Sequence, residues 1–123
     1  MVNYTGLALR AATPAAGYAL VNGTGTIISW TAPNDGQLHR VLFFGTLHVT
    51  SSETGGAVNV NFTSPDGISN ANQAVFSASH GGGVFGPDKA GLVVVEAGTV
   101  VSVQQGSALT GGASTLWAEL WGS

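Results

Sequence analysis

The side chains able to carry chemistry are few and scattered. The chain holds six carboxylates (Asp35, Glu53, Asp66, Asp88, Glu96 and Glu119), three histidines (His39, His48 and His80) and no cysteine. Glycoside hydrolysis needs two carboxylates set across one bond. Asp35, Asp66 and Asp88 instead sit among Pro and Gly, where an Asp side chain caps its own turn, and Glu53 and Glu96 flank turns. No calcium loop of the D-x-[DN]-x-[DN]-G type is present. His39 and His48 lie nine residues apart on one expected strand, so their side chains point to opposite faces. One chain therefore does not bring them to a common metal ion; three copies of one histidine on a trimer axis would be the route to such a site. Serine and threonine are abundant, but no His/Asp pair is placed to activate one of them. Gly81 to Gly83 lack the Lys-Ser/Thr that completes a phosphate-binding loop. Without cysteine there is no disulfide, no thiolate metal site and no thiol nucleophile. The residues point to no catalytic centre, no metal and no cofactor.

The bulk properties agree. Charged residues make up 7% of the chain, against about 25% in ordinary soluble domains, while the apolar share of 44% is close to normal. A surface this poor in charge tends to associate, which suits a protein that works inside an assembly. Arg10, Arg40 and Lys89 are the only basic side chains in a chain of net charge −3. Nucleic-acid binding by phosphate neutralisation requires clustered Lys and Arg, so that partner is not expected. No apolar run of 18 residues is present, so no membrane-spanning helix is expected. The stretch MVNYTGLALR lacks the basic and then apolar regions of a secretory signal, which implies a protein made in the cytoplasm without a signal peptide.

The elements that would position these residues are strands. The segment from Thr24 to Thr50 carries two apolar runs joined by Ala32-Pro33-Asn34-Asp35-Gly36, a turn in which Pro presets φ and Gly takes the left-handed position. In the second run Val41, Phe43, Gly45, Leu47 and Val49 share one face; Arg40, Leu42, Phe44, Thr46, His48 and Thr50 share the other. Mid-strand Gly45 predicts a bulge or a large side chain packed over it. Residues 57–64 alternate strictly, with Val58, Val60 and Phe62 inward. Residues 18–22, 26–31, 74–78 and 99–105 read as further strands, and the apolar run at 92–96 suits a strand buried on both faces. The last strand, 113–121, sets Leu116, Ala118 and Leu120 on one side and Trp117, Glu119 and Trp121 on the other. Two tryptophans are too much apolar area for a bare face, so another strand or a subunit should cover them. Seven to eight short strands with turn signals about every 8–12 residues, and no amphipathic helix, predict an all-β fold, a sandwich or a barrel, with the antiparallel β-sandwich preferred. Residues 1–17 read as an extended arm, either a frayed terminus or one anchored on a neighbouring subunit by Tyr4, Leu7 and Leu9, and residues 18–123 as the sandwich domain.

Two segments carry a family resemblance. Ser29-Trp30-Thr31-Ala32-Pro33 through Gly36, then Arg40-Val41 and Leu47 to Ser51, is similar to the "tAPxdGxyrv…lxVts" segment of C1q/TNF-like jelly rolls. Val95-Glu96-Ala97-Gly98-Thr99-Val100-Val101-Ser102-Val103 looks like their "aGt.Vsv" hairpin, with a terminal strand following in the expected place. His39 stands where those chains carry a tyrosine. The same layout in a short Gly/Thr/Ser-rich chain resembles head decoration (cement) proteins of tailed bacteriophages. That resemblance implies a jelly roll with no enzymatic activity. It implies a homotrimer on the virion surface that binds the major capsid protein and stabilises the shell. Under it, Leu42, Phe44, Trp117 and Trp121 are the expected subunit contacts. Tyr4, Leu7, Leu9 and Arg10 of the arm, with Phe85, Asp88 and Lys89 of the loop at 81–91, are the expected capsid contacts. The alternative is a carbohydrate- or receptor-binding module of a tail fibre, with Trp30, Trp117 and Trp121 as sugar platforms.

Overall fold

The computed structural model describes residues 6–51, 56–76, 84–85 and 89–123. They form an all-β fold of two antiparallel sheets. Eight strands have five residues or more: β1 (Ala8–Ala12), β3 (Gly25–Thr31), β4 (His39–Ser51), β5 (Val58–Thr63), β6 (Ser69–Phe76), β8 (Lys89–Val95), β9 (Val100–Gln105) and β10 (Ala113–Gly122). Two more, β2 (Tyr18–Ala19) and β7 (Val84–Phe85), have two residues each. The six-stranded sheet runs β1-β10-β4, with β2 beside β10 and both β7 and β8 along the far edge of β4. The four-stranded sheet runs β3-β9-β5-β6. β10 lies between β1 and β4, and β9 between β3 and β5, so that the two antiparallel sheets make a β-sandwich.

The core lies between the sheets. Val41, Phe43, Leu47, Leu116, Ala118 and Leu120 point inward from one, and Val58, Val60, Val101 and Val103 from the other. Their parity is the one expected from sequence, because each strand alternates buried and less buried positions along its length. Ile28 and Trp30 of β3 and Phe62 of β5 pack against the edge of this core. At the rim, Gln105 is almost fully buried and closes the gap to the β2–β3 connection. Its amide donates to the carbonyls of Val21 (2.6 Å) and Ser107 (3.0 Å), and its oxygen accepts from Val21 N–H (3.0 Å). A buried amide is tolerated when its groups are paired in this way.

The turn and the hairpin that carry the family resemblance are neighbours in space. Ala32, which is buried, donates to the carbonyl of Thr99 (2.9 Å) and accepts from Gly98 N–H (3.1 Å). Gly36 and Gly98 have φ of 74° and 80°, the left-handed region that both turns require.

Four expectations change. From Ala8 onward the segment read as an arm is a strand, antiparallel to β10 in its own sheet, with Ala8 opposite Gly122 and Ala12 opposite Glu119. Thr13 continues this attachment through hydrogen bonds with the main chain of Ala118. The strand expected over 18–22 shortens to Tyr18–Ala19. The run at 92–96 is not buried on both sides, because β8 has only one face against the core: Val93 and Val95 pack there, while Leu92 and Val94 are exposed. At Gly45 the β4–β10 register passes without a bulge. Gly91, opposite Phe43 in the register, leaves room for the Phe43 ring, into which a Cβ would run.

Candidate self-association face

The outer surfaces of the two sheets differ in chemistry. On the four-stranded sheet, polar side chains satisfy one another. Asn61 Nδ2 donates to Gln104 Oε1 (2.5 Å), and Gln104 Nε2 donates to Ser102 Oγ (3.2 Å) and Thr26 Oγ1 (3.4 Å). On the six-stranded sheet the outward parity of β4 and β10 brings apolar residues into line. Leu9 is opposite Trp121, Trp121 opposite Leu42, and Leu42 opposite Leu92, one residue from each of four adjacent strands. Leu9 is 50% exposed and Leu92 49%, and Phe44, two residues along from Leu42, is 38% exposed. Val94 extends the patch and is also exposed. An apolar row of this width on a solvent face is what an interaction surface presents.

All four residues expected at subunit contacts stand on this face. Leu42 and Phe44 come from β4, and Trp117 and Trp121 from β10, in register with Thr46 and Leu42. Trp117 is fixed on two sides: its indole N–H donates to the Ala15 carbonyl (3.2 Å), and its ring stacks against His48 with centroids 6.4 Å apart. Beside it, Phe44, Thr46, Glu119 and the 12–15 segment enclose a shallow hollow of about 270 Å³.

The residues expected to grip a capsid are dispersed. Leu9 shares the apolar row instead of standing apart from it. Leu7 is half-buried. Arg10 is turned towards the sandwich: its Nε donates to the Gly122 carbonyl (3.0 Å), and its guanidinium lies 5.6 Å over the Trp30 ring. Tyr4 and Asp88 lie outside the described residues. Phe85 and Lys89 are described as backbone in β7 and β8, opposite His48 and Gly45. Trp30 does not offer a platform to a sugar. It packs against the core, and its ring occupies the space that a Cβ at Gly122 would enter, 2.5 Å away.

The histidines go separate ways. His48 faces outward beside Trp117, and His80 lies outside the described residues. His39 is buried at the end of the sandwich, edge-on to Trp30 with centroids 6.4 Å apart. Its Nε2 is 2.8 Å from Asp35 Oδ1 and its Nδ1 is 2.9 Å from the main-chain oxygen of Ser123. Both neighbours are acceptors, so satisfying both requires both ring nitrogens to carry protons, the imidazolium form. The Ser123 oxygen first and the Asp35 carboxylate second hold the His39 pKa above its ordinary value of 6.5, against the opposing effect of burial. The same bond, with the Gln37 N–H, holds Asp35 below 3.8. A raised histidine pKa contributes stability that is complete below the unfolded value and lost as pH rises through the folded one. Denaturant unfolding is therefore expected to show stability falling as pH rises from 6.5 through the raised His39 pKa, and His39→Gln is expected to flatten that fall. An unchanged slope in the variant would show that His39 does not carry the dependence.

No protein-family model, curated protein or solved structure matches the chain. Among the described residues, no three of His, Asp or Glu are grouped as metal ligands, and no helix is long and apolar enough to cross a membrane. Sequence reasoning missed Leu92 and Val94 as part of the outer face, because an apolar run looks the same whether one side or both are covered. It also missed the surroundings of Glu119, which depend on the register between β4 and β10.

Proposed function

We propose that this chain is a structural protein that self-associates through the outer face of its six-stranded sheet, and that it acts as a homotrimeric decoration protein on a phage capsid. The observation that carries the reading is the contrast between the two outer surfaces. Across β3, β9 and β5 the one carries a polar ladder of Thr26, Ser102, Gln104 and Asn61, with Val100 as its exposed apolar residue; the other is an apolar row from Leu9 to Leu92 with tryptophans fixed in place. Exposed apolar area rimmed by polar residues is stabilised by a partner surface. The C1q/TNF-like turn and hairpin and the low charge support the trimer and the virion setting. In that setting the protein has no active site. Its partners are its own copies and the major capsid protein, and repetition about the trimer axis multiplies each weak capsid contact.

The test is light scattering of the purified protein together with co-sedimentation with capsids that lack it. A trimer mass and saturable binding are expected. A monomer at high micromolar concentration without capsid affinity would overturn the reading. The alternative role, a carbohydrate-binding module of a tail fibre, draws on the Phe44/Trp117 hollow, with Trp30 no longer a candidate. Quenching of tryptophan fluorescence by host polysaccharide, abolished in Trp117→Ala, would favour it instead.

A further inference from the structure

Three dipeptides of the chain place Asn or Asp before glycine: Asn22-Gly23, Asp35-Gly36 and Asp66-Gly67. Glycine has no Cβ to shield its main-chain nitrogen, so that nitrogen readily reaches the side-chain carbonyl carbon before it. Two of the three pairs are tied down. Asp35 Oδ1 lies 2.8 Å from His39 Nε2 and accepts from Gln37 N–H (3.0 Å). Asp66 accepts from the Ser64 hydroxyl and from Ile68 N–H (3.2 Å), and the Gly67 nitrogen is itself engaged, donating to the Ser64 carbonyl (2.9 Å). These bonds hold both carboxyl groups below their ordinary pKa of 3.8, in the ionised form that repels a nucleophile. Asn22-Gly23 differs on each count. It lies in the connection between β2 and β3 with Asn22 exposed, and no hydrogen bond among the described residues holds the Asn22 amide or the Gly23 N–H. The amide is uncharged, and it borders an open hollow of about 510 Å³ lined also by Leu109 to Gly112.

We infer that Asn22 is a site of spontaneous deamidation. The Gly23 nitrogen gives its proton to hydroxide and bonds to Asn22 Cγ. The Cγ–Nδ2 bond breaks, ammonia leaves with a proton from water, and a succinimide ring closes. Water then opens the ring at either carbonyl and leaves an aspartate or an isoaspartate, with no change of oxidation state. The connection has little slack for the second product. Val21 is clamped to the Gln105 side-chain amide through both its N–H (3.0 Å) and its carbonyl (2.6 Å), and Gly25 is opposite Gln105 in the β3–β9 register. An isoaspartate lengthens the main chain between these two anchors by one methylene. It also sets a negative charge beside Leu109, whose N–H donates to the Val21 carbonyl (3.2 Å). Displacing Val21 leaves the buried Gln105 amide without its partners, so the modified chain unfolds at a lower denaturant concentration. This site lies apart from the outer face of the six-stranded sheet and does not depend on how that face is read.

The test incubates the folded protein in mildly alkaline buffer made with heavy-oxygen water and reads its peptides by fragmentation mass spectrometry. Label is expected to enter at position 22, as a mixture of aspartate and isoaspartate. Positions 35 and 66 should stay unlabelled, and Asn59 and Asn61 inside β5 should keep their amides. Gly23→Ala is the diagnostic variant, because a Cβ there meets only a Val21 methyl at 3.9 Å and the φ of Gly23 is not left-handed. It should slow the labelling on the order of tenfold and leave the denaturation midpoint of the fresh protein unchanged. Asn22→Gln, which would have to close a larger ring, should abolish it. Labelling at Asn22 no faster than at Asn59 overturns the site, and the wild type alone decides this. Labelling at Asn22 with no fall in the midpoint of the aged protein overturns the strain on Gln105.

Discussion

Trp30→Ala is expected to destabilise the fold by about 3 to 5 kcal/mol, a large part of the 5 to 15 kcal/mol that a domain of this size has in total. The ring does four things together. It packs against the core from β3, meets His39 edge-on, lies under the Arg10 guanidinium, and fills the space left by Gly122 in β10. It therefore joins the four-stranded sheet to three parts of the other one: β1, the start of β4 and the end of β10. Removing it leaves a void at the junction and takes the aromatic partner from Arg10. Chemical denaturation at one pH well below 6.5, where His39 is protonated in both states, measures the effect. A loss below about 1 kcal/mol would mean that the junction holds without the ring.

Leu42→Asp is expected to abolish self-association, weakening it by at least about a hundredfold, while the monomer keeps its fold. Leu42 is in the middle of the four-strand row, between Trp121 and Leu92, and its side chain points away from the core. A carboxylate there is solvated in the free chain but would be buried against a neighbour's apolar row, which costs several kcal/mol. Light scattering reads the association, and near-ultraviolet circular dichroism reads the fold. Asn61→Asp on the other sheet is the matched control and should leave association intact. If both substitutions leave the oligomer unchanged, the interface lies elsewhere.

Much of the sandwich is written in single strands. β4, β5 and β10 each have one face on the core, so their alternation alone assigns Val41, Phe43, Leu47, Val58, Val60, Leu116 and Leu120 to the interior. It also places Leu42, Phe44, Trp117 and Trp121 together on the outside. What sequence hides is what depends on a distant partner. β1 shows no period because its pairing with β10 shifts between Leu9 and Ala11, and the strand it joins lies more than a hundred residues further on. Gln105 reads as an ordinary strand end, yet it is buried because Val21 and Ser107 come to it. Glu119 looks like a charge on a wet face until the register sets Phe44 beside it. The same holds for Trp30, whose aromatic character suggested a sugar platform although its parity with Ile28 already pointed inward.

The place of β10 at the centre of the six-stranded sheet bears on timing. It lies between β1 and β4, so the first of the long strands and the third wait for the last before they can be joined. Pairings this distant in sequence form slowly, since the chain between them must be ordered first. The apolar row needs Trp121 of β10 beside Leu42 of β4. On a nascent chain that has not yet reached β10 that row does not exist, and neighbouring chains at that stage have no finished surface by which to seize one another. The strand that completes the fold also delays its stickiness until synthesis has passed through β10.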